Sequence, residues 1–296
     1  MKIVISGGTG YLGSLLVDYY KTKAQVYVLT RSPKKDIPPM VNQVVWDAKN
    51  LGDWANCLEN ADALINLAGK SINTRMTEKN KQEILQSRID ATEALGKAIE
   101  ACKVPPKMWL NASSIAIYDE SRREEKTEYS DLNGTDFLSE VCRKWEMAFY
   151  RYAEGKTKKA VFRISLVLGE HKGSALHTLK RLVQFGGGGK AGSGTQMVSW
   201  VSERDFVRAI AYIVKHELEG DFNIANGSAV SNKLLMEMLR KKYKRSFGLS
   251  APKILIKLGG EIIGTPPELI LRSQNVIPKR LWKAGFNFLH ESVLDI

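Results

Sequence analysis

The residues that most restrict this chain stand at its start, where the apolar run Ile3-Val4-Ile5 passes through Ser6 straight into Gly7-Gly8-Thr9-Gly10-Tyr11-Leu12-Gly13. Consecutive β-branched residues stopped by glycine predict a short buried strand. Beyond Gly13, the segment Ser14-Leu15-Leu16-Val17-Asp18-Tyr19-Tyr20-Lys21 carries its apolar residues at helical spacing. Strand, glycine turn and helix in that order form the setting in which a glycine fingerprint binds a dinucleotide. Gly7 permits the tight turn, Gly10 lets a pyrophosphate reach the backbone, and Gly13 lets the helix lie close to the strand. The start of that helix offers free N–H groups and a partial positive charge to phosphates, which adds Thr9, Tyr11 and Leu12 to the candidates.

Strands and helices then alternate. Strands are expected at Gln25–Thr30, Gln43–Trp46, Ala63–Leu67, Met108–Ala112 and Ala160–Ile164. A long helix is expected over Thr77–Cys102, where Ile84, Ile89, Leu95 and Ile99 recur at roughly helical spacing, and another over about Asp136–Tyr152. This rhythm predicts an α/β fold with a doubly wound parallel sheet in residues 1–165. Residues 166–296 read as a smaller, interleaved substrate lobe. Glycines at 186–189 and at Gly192 and Gly194 make a flexible connection, Val198–Val201 reads as a strand and Arg204–Lys215 as a helix, and Thr265-Pro266-Pro267 and Ile277-Pro278 mark breaks.

The 296 residues contain no apolar run of membrane-spanning length, and the apolar start is stopped by Ser6 and glycine too soon for a signal peptide. Three scattered cysteines fit a reducing cytoplasm. The four histidines are unclustered and no metal site is expected. The net charge of +12 raises the question of nucleic acid, but the basic residues sit in short clusters such as Lys34-Lys35 and Arg240-Lys241-Lys242 near element ends, without a pattern of stacking aromatics. An anionic cofactor is a sufficient use for that charge. A small-molecule substrate is expected, with neither nucleic acid nor membrane as partner; a homodimer is left open.

The end of the second strand discriminates between nicotinamide cofactors, because a carboxylate there takes the ribose 2′-hydroxyl and an arginine accommodates a 2′-phosphate. Here the strand ends Thr30-Arg31-Ser32 with no carboxylate, which favours NADP (NADPH) over NAD, with an ordinary basic loop residue as the alternative. Asp47, after the third strand, is placed for the adenine. Leu67-Ala68-Gly69, after the fourth, would run beside the cofactor. On the long helix, Glu83 and Arg88 pass near it, and Arg88 either reaches a phosphate or pairs with a carboxylate on its own helix face.

The spacing Gly-x-x-Gly-x-x-Gly resembles that of extended short-chain dehydrogenase/reductases. Asn111-Ala112-Ser113-Ser114-Ile115-Ala116-Ile117-Tyr118 resembles their Ser-Ser-x-x-x-Tyr segment. That resemblance implies a Rossmann-type fold, a serine (Ser114, with Ser113 as alternative) polarising a substrate oxygen, and a following Tyr-x-x-x-Lys pair whose lysine lowers the tyrosine pKa. The pair is absent: Leu138 and Cys142 stand where it belongs, leaving Tyr118 or a water to handle the proton. Ser87-Arg88, Trp145-Glu146, Arg163 with Val167-Leu168-Gly169, Ser199-Trp200 and Pro278-Lys279 together resemble the atypical, sugar-nucleotide epimerase-like (SulA-like) branch. The resemblance implies Val167 near the cofactor and a histidine where this chain has Ser202, before Asp205. Two functions stand: an NADP(H)-dependent oxidoreductase or epimerase-like enzyme, on a small molecule such as a nucleotide sugar, or a weakly active or inactive NADP(H)-sensing regulator with a protein partner.

Overall fold

The computed structural model describes residues 1–34, 37–38, 40–256 and 266–296; Lys35 and Thr265, singled out above, lie outside the described residues. In chain order the elements are β1 (Lys2–Ser6), α1 (Tyr11–Tyr20), β2 (Gln25–Thr30), β3 (Val41–Val45), β4 (Ala63–Asn66), α2 (Glu78–Ala101), β5 (Met108–Ser114), α3 (Phe137–Arg151), β6 (Lys158–Ile164), β7 (Leu166–Leu168), α4 (Ala175–Gln184), β8 (Met197–Val198), β9 (Trp200–Ser202), α5 (Glu203–Lys215), β10 (Gly220–Ile224), β11 (Val230–Ser231) and α6 (Asn232–Lys242), followed by short helical turns at Glu268–Leu271 and Lys279–Lys283. The seven strands of the main sheet run in the order β10-β6-β5-β4-β1-β2-β3. Ile3 stands between Val26 and Ala63, and Ile5 between Val28 and Ile65, in parallel register. The winding direction reverses between β1 and β4, which opens a crevice at the strands' carboxyl ends.

Alternate residues of the strands face opposite layers. Ile3, Ile5, Val28 and Phe162 pack with Leu16 and Tyr20 of α1 and Phe206, Ile210 and Ile213 of α5. Val4, Leu29, Leu64, Trp109 and Val161 pack with Leu95 and Ile99 of α2 and Phe149 of α3. Each large apolar side chain buried in this way contributes about 1.5–3 kcal/mol relative to exposure. A smaller cluster of Leu168, Leu176, Val183, Trp200, Leu235, Leu239 and Val293 joins α4 and α6 into the second lobe.

A boundary at residue 165 does not divide the main core. β10 pairs with β6 from Gly220↔Ala160 to Ile224↔Ile164, and α5 supplies a covering layer for the same sheet. The expected strand Val198–Val201 is split: β8 and β9 flank Ser199, whose Oγ donates to Gln274 O (3.0 Å) and accepts from Val276 N (2.8 Å), tying the C-terminal segment down. Among the described residues no helix is long and apolar enough to cross a membrane.

The turn after β1 depends on two glycines. Gly7 has φ +75°, and a Cβ there would stand 2.7 Å from Leu67 O. A Cβ on Gly13 would stand 2.3 Å from Gly7 O and 2.6 Å from Gly8 Cα. At Gly10 the nearest such atom is Gly7 O, at 3.3 Å. Gly13→Ala is therefore expected to destabilise the fold by about 3 kcal/mol or more through overpacking of rigid backbone. Gly10→Ala should cost under about 1 kcal/mol. Chemical denaturation of the two variants checks the ranking.

Candidate cofactor and substrate site

A groove of about 860 Å³ follows the crevice, lined by the glycine turn, the ends of β2, β3 and β4, and one side of α2. Eleven of the expected cofactor residues line it: Gly7, Thr9, Gly10, Thr30, Arg31, Ser32, Asp47, Leu67, Ala68, Gly69 and Glu83. Tyr11, Leu12, Gly13, Arg88 and Val167 do not. α1 starts at the groove with Gly10 as its N-cap, no side-chain capping hydrogen bond and no acidic residue in its first turn. Its first N–H groups and the positive end of its dipole are left for an anion. Exposed Gly10 has room beside it, so the residues present fit the diphosphate of a dinucleotide.

At the β2 end, Arg31 and Ser32 are exposed beside the groove. Sequence reasoning missed Lys34. Its Nζ donates to Thr9 O (3.1 Å), and both its backbone groups are held by the Gln43 side chain at 2.7 Å. Periodicity and motif spacing carry no trace of this, because Gln43 reaches Lys34 from the next strand. The Asp47 carboxylate accepts from Lys49 N, Asn50 N and Asn50 Nδ2. Those bonds, Asn50's foremost, hold its pKa below the ordinary carboxylate value.

The β4 end is fixed from below by a buried polar cluster. Asn66 Oδ1 accepts from Ser6 Oγ (2.6 Å) and Ala68 N (3.0 Å), while Asn66 Nδ2 donates to Asn111 Oδ1 (2.6 Å) and Thr92 Oγ1 (3.1 Å). From the side, Ser87 Oγ accepts Lys70 N (2.9 Å), and Arg88 Nη1 donates to Lys70 O (3.0 Å) and Ile84 O (2.8 Å). Arg88 thus takes neither expected role. It grips backbone and lies over Trp145, 5.0 Å from the ring. Lys70 also pairs with Glu83, holding the Glu83 carboxyl below its usual value.

At the β5 end, Ser114 is half-buried; its Oγ accepts from Ala116 N (3.2 Å) and donates to Ile164 O (3.4 Å). Ser113 is buried, and its Oγ has no hydrogen-bond partner among the described residues. Tyr118 requires a correction. It has no exposed surface, and its hydroxyl donates to Asn223 Oδ1 and accepts from Arg163 Nη1, both at 2.9 Å. Burial pushes its pKa up to about 12, with Arg163 opposing. Arg163 is in turn held by Glu146 at 2.8 and 3.0 Å and by Asp221 at 2.8 Å. Tyr118 is therefore a sealed structural group in this conformation. Of the pair replacing tyrosine and lysine, Leu138 cannot ionise, and burial raises the Cys142 thiol to about 11.

An imidazole does reach Ser202. His290, from the C-terminal segment, places Nδ1 2.8 Å from Ser202 Oγ and 3.3 Å from Asp205 Oδ2. Burial would raise the Asp205 pKa, but donation from His290 N, Leu289 N and Arg208 outweighs it and the value is lowered.

A doubly wound parallel sheet with a glycine turn and an uncapped helix start at its crevice defines a dinucleotide-binding α/β protein. The model of the NAD dependent epimerase/dehydratase family matches residues 3–225, and the chain belongs to that family. The match ends just past β10, consistent with α5 and β10 completing the core. "Epimerase family protein SH2119" of Staphylococcus haemolyticus is 32% identical over 294 residues, covering 99% of this chain and 96% of its own length. The crystal structure of human epimerase family protein SDR39U1 (isoform 2) with NADPH has a TM-score of 0.88 and 27% identity, covering 99% of this chain and 96% of that one. MoeE5 in complex with UDP-glucuronic acid and NAD shares the fold, with a TM-score of 0.77 and 20% identity over 99% of this chain and 95% of its own. The resemblance to extended short-chain dehydrogenase/reductases read from the sequence is borne out.

Tyr118→Phe is expected to cost about 1–3 kcal/mol in stability by leaving buried Arg163 and Asn223 groups unpaired, with cofactor affinity unchanged; denaturation and titration of the same variant check both. Asp205 has a depressed pKa, so the stability it contributes is present above its unfolded value of about 3.9 and is lost as pH falls through the lower folded value. Asp205→Asn should lower stability by about 1.5–3 kcal/mol at neutral pH. Its difference from wild type should shrink below about pH 4, as a pH series of unfolding curves would show.

Proposed function

We propose that this chain binds NADPH in the groove and is an oxidoreductase or epimerase-like enzyme acting on a small molecule, with nucleotide sugars as the leading substrate class. The observation that carries the cofactor assignment is the β2 exit, where Arg31 and Lys34 stand at the groove and the strand end Thr30-Arg31-Ser32 holds no carboxylate. Arg31, Ser32 and Lys34 would hold the 2′-phosphate, Arg31 by its paired donors. Gly10 and the start of α1 would take the diphosphate, Asp47 the adenine side, and Leu67, Ala68 and Gly69 the length of the cofactor. The NADPH of the human relative's structure supports this reading; the NAD bound to MoeE5 comes from a match of fold alone.

The bound nicotinamide would supply hydride exchange. Ser114 would orient the substrate oxygen, its hydroxyl turning from the long bond to Ile164 O. With Tyr118 sealed, the proton comes from water. The nucleotide-sugar assignment draws on the names of structural relatives, among them the nucleoside-diphosphate sugar epimerase of Corynebacterium glutamicum.

One observation favours a second reading, an NADPH-sensing regulator with little or no turnover: Leu138 and Cys142 leave no acid–base pair at the start of α3. Turnover of NADPH across carbonyl compounds and nucleotide sugars separates the readings. The enzyme reading expects turnover lost by at least about tenfold in Ser114→Ala, and the regulator reading expects none in either protein. Arg31→Glu is expected to weaken NADPH binding about 10–100-fold and to leave NADH binding within about threefold. Unchanged NADPH affinity in that variant would refute the cofactor assignment.

A further inference from the structure

The second lobe carries a surface that the cofactor groove does not use. Phe185 is 84% exposed, Phe247 66%, Leu249 64%, Ile254 71% and Leu255 59%. Backbone pairing sets the two segments that carry them side by side: Leu249 N donates to Gly186 O (2.7 Å), Gly189 N to Leu249 O (3.0 Å), and Ala251 N to Lys190 O (3.0 Å). The end of α4, the glycine segment and the stretch after α6 therefore form one face. Exposed side chains of this size in one patch mark a docking surface.

The two described segments that form the patch carry only positive charge. Residues 240–256 contain Arg240, Lys241, Lys242, Lys244, Arg245 and Lys253 and no carboxylate, and no carboxylate occurs in residues 171–202. Arg181, Lys190, Lys241, Lys244, Arg245 and Lys253 are all exposed, and none has a carboxylate within ion-pair distance among the described residues. Arg240 is drawn to the patch itself, donating to Gly188 O.

We infer that this face docks on an anionic phospholipid membrane, with Phe185, Phe247, Leu249, Ile254 and Leu255 entering the interfacial layer and the lysines and arginines around them meeting the headgroups. This departs from the sequence-based expectation of no membrane partner, and the vesicle test below decides between them. The combination of bulky apolar tips with a rim of cations is that of interfacial membrane proteins. A second copy of the chain is a poor occupant, because a symmetric contact would set two carboxylate-free cationic faces against each other. Nucleic acid would use Phe185 and Phe247 for stacking but would leave the exposed aliphatic side chains Leu249, Ile254 and Leu255 without a partner.

The test is sedimentation of the full chain with vesicles of phosphatidylglycerol and phosphatidylcholine, and with vesicles of phosphatidylcholine alone. Binding to the mixed vesicles, at least about tenfold stronger than to phosphatidylcholine, is expected. The paired change Phe247→Asp, Ile254→Asp should weaken it by about tenfold or more, and Lys241→Glu with Lys244→Glu by about fivefold or more. NADPH affinity should be unchanged in all of them, which excludes misfolding as the cause. No binding to the mixed vesicles, or binding unaffected by the Asp pair, overturns the inference. So does a self-association or an RNA affinity, measured in the absence of lipid, that the Asp pair abolishes.

Discussion

The first turn of α1 lies directly on the exit of β1, and this contact is the constraint on which the rest depends. Gly13 touches the backbone of Gly7 and Gly8 at distances no Cβ would allow, so the helix starts where the strand ends. That proximity aims the N–H groups and dipole of α1 at the crevice between β1 and β4. The groove floor is then completed by Leu67, Ala68 and Gly69. Asn66 holds Ala68 from beneath, and Ser87 and Arg88 hold the following Lys70 from the side. The anion-binding end of the site is thus set by backbone positions and by the side chains beneath and beside them.

The other end of the site is taken up by structural bonding. Arg163, Glu146, Asp221, Asn223 and Tyr118 form one buried polar network joining β6, α3, β10 and the turn after β5. A buried ion pair with this geometry is costly to break, because loss of either partner strands a charge. The network fastens the edge strand β10, whose sequence Gly-Asp-Phe-Asn-Ile is otherwise poor in strand formers. It also commits the Tyr118 phenol to Asn223 and Arg163. The start of α3, where an acid–base pair would stand, holds an apolar residue and a neutral thiol.

The sheet was legible where strands are continuous and apolar. Gln25–Thr30 matches its expected bounds, and the long helix falls within a residue of its expectation at each end. β10 was not legible, because Asp221 and Asn223 make it strand-like only through Arg163, Tyr118 and the backbone of β6. The glycine turn and Arg31 announced themselves by position in the chain. Lys34 did not, since its placement comes from Gln43 across the sheet. Tyr118 was misread because a short 3₁₀ turn at Ile115–Ile117 carries it off the line of β5 into the core. Ser202 was read as the loss of an imidazole, whereas His290 supplies one from 88 residues away.

The most direct measurement of the central claim is the affinity of the unmodified protein for NADPH and for NADH, by calorimetric titration under identical salt. A groove whose β2 end offers Arg31 and Lys34 to the 2′-phosphate predicts NADPH binding at least about tenfold tighter, with the difference shrinking as salt rises. Equal affinities, or a preference for NADH, would contradict it.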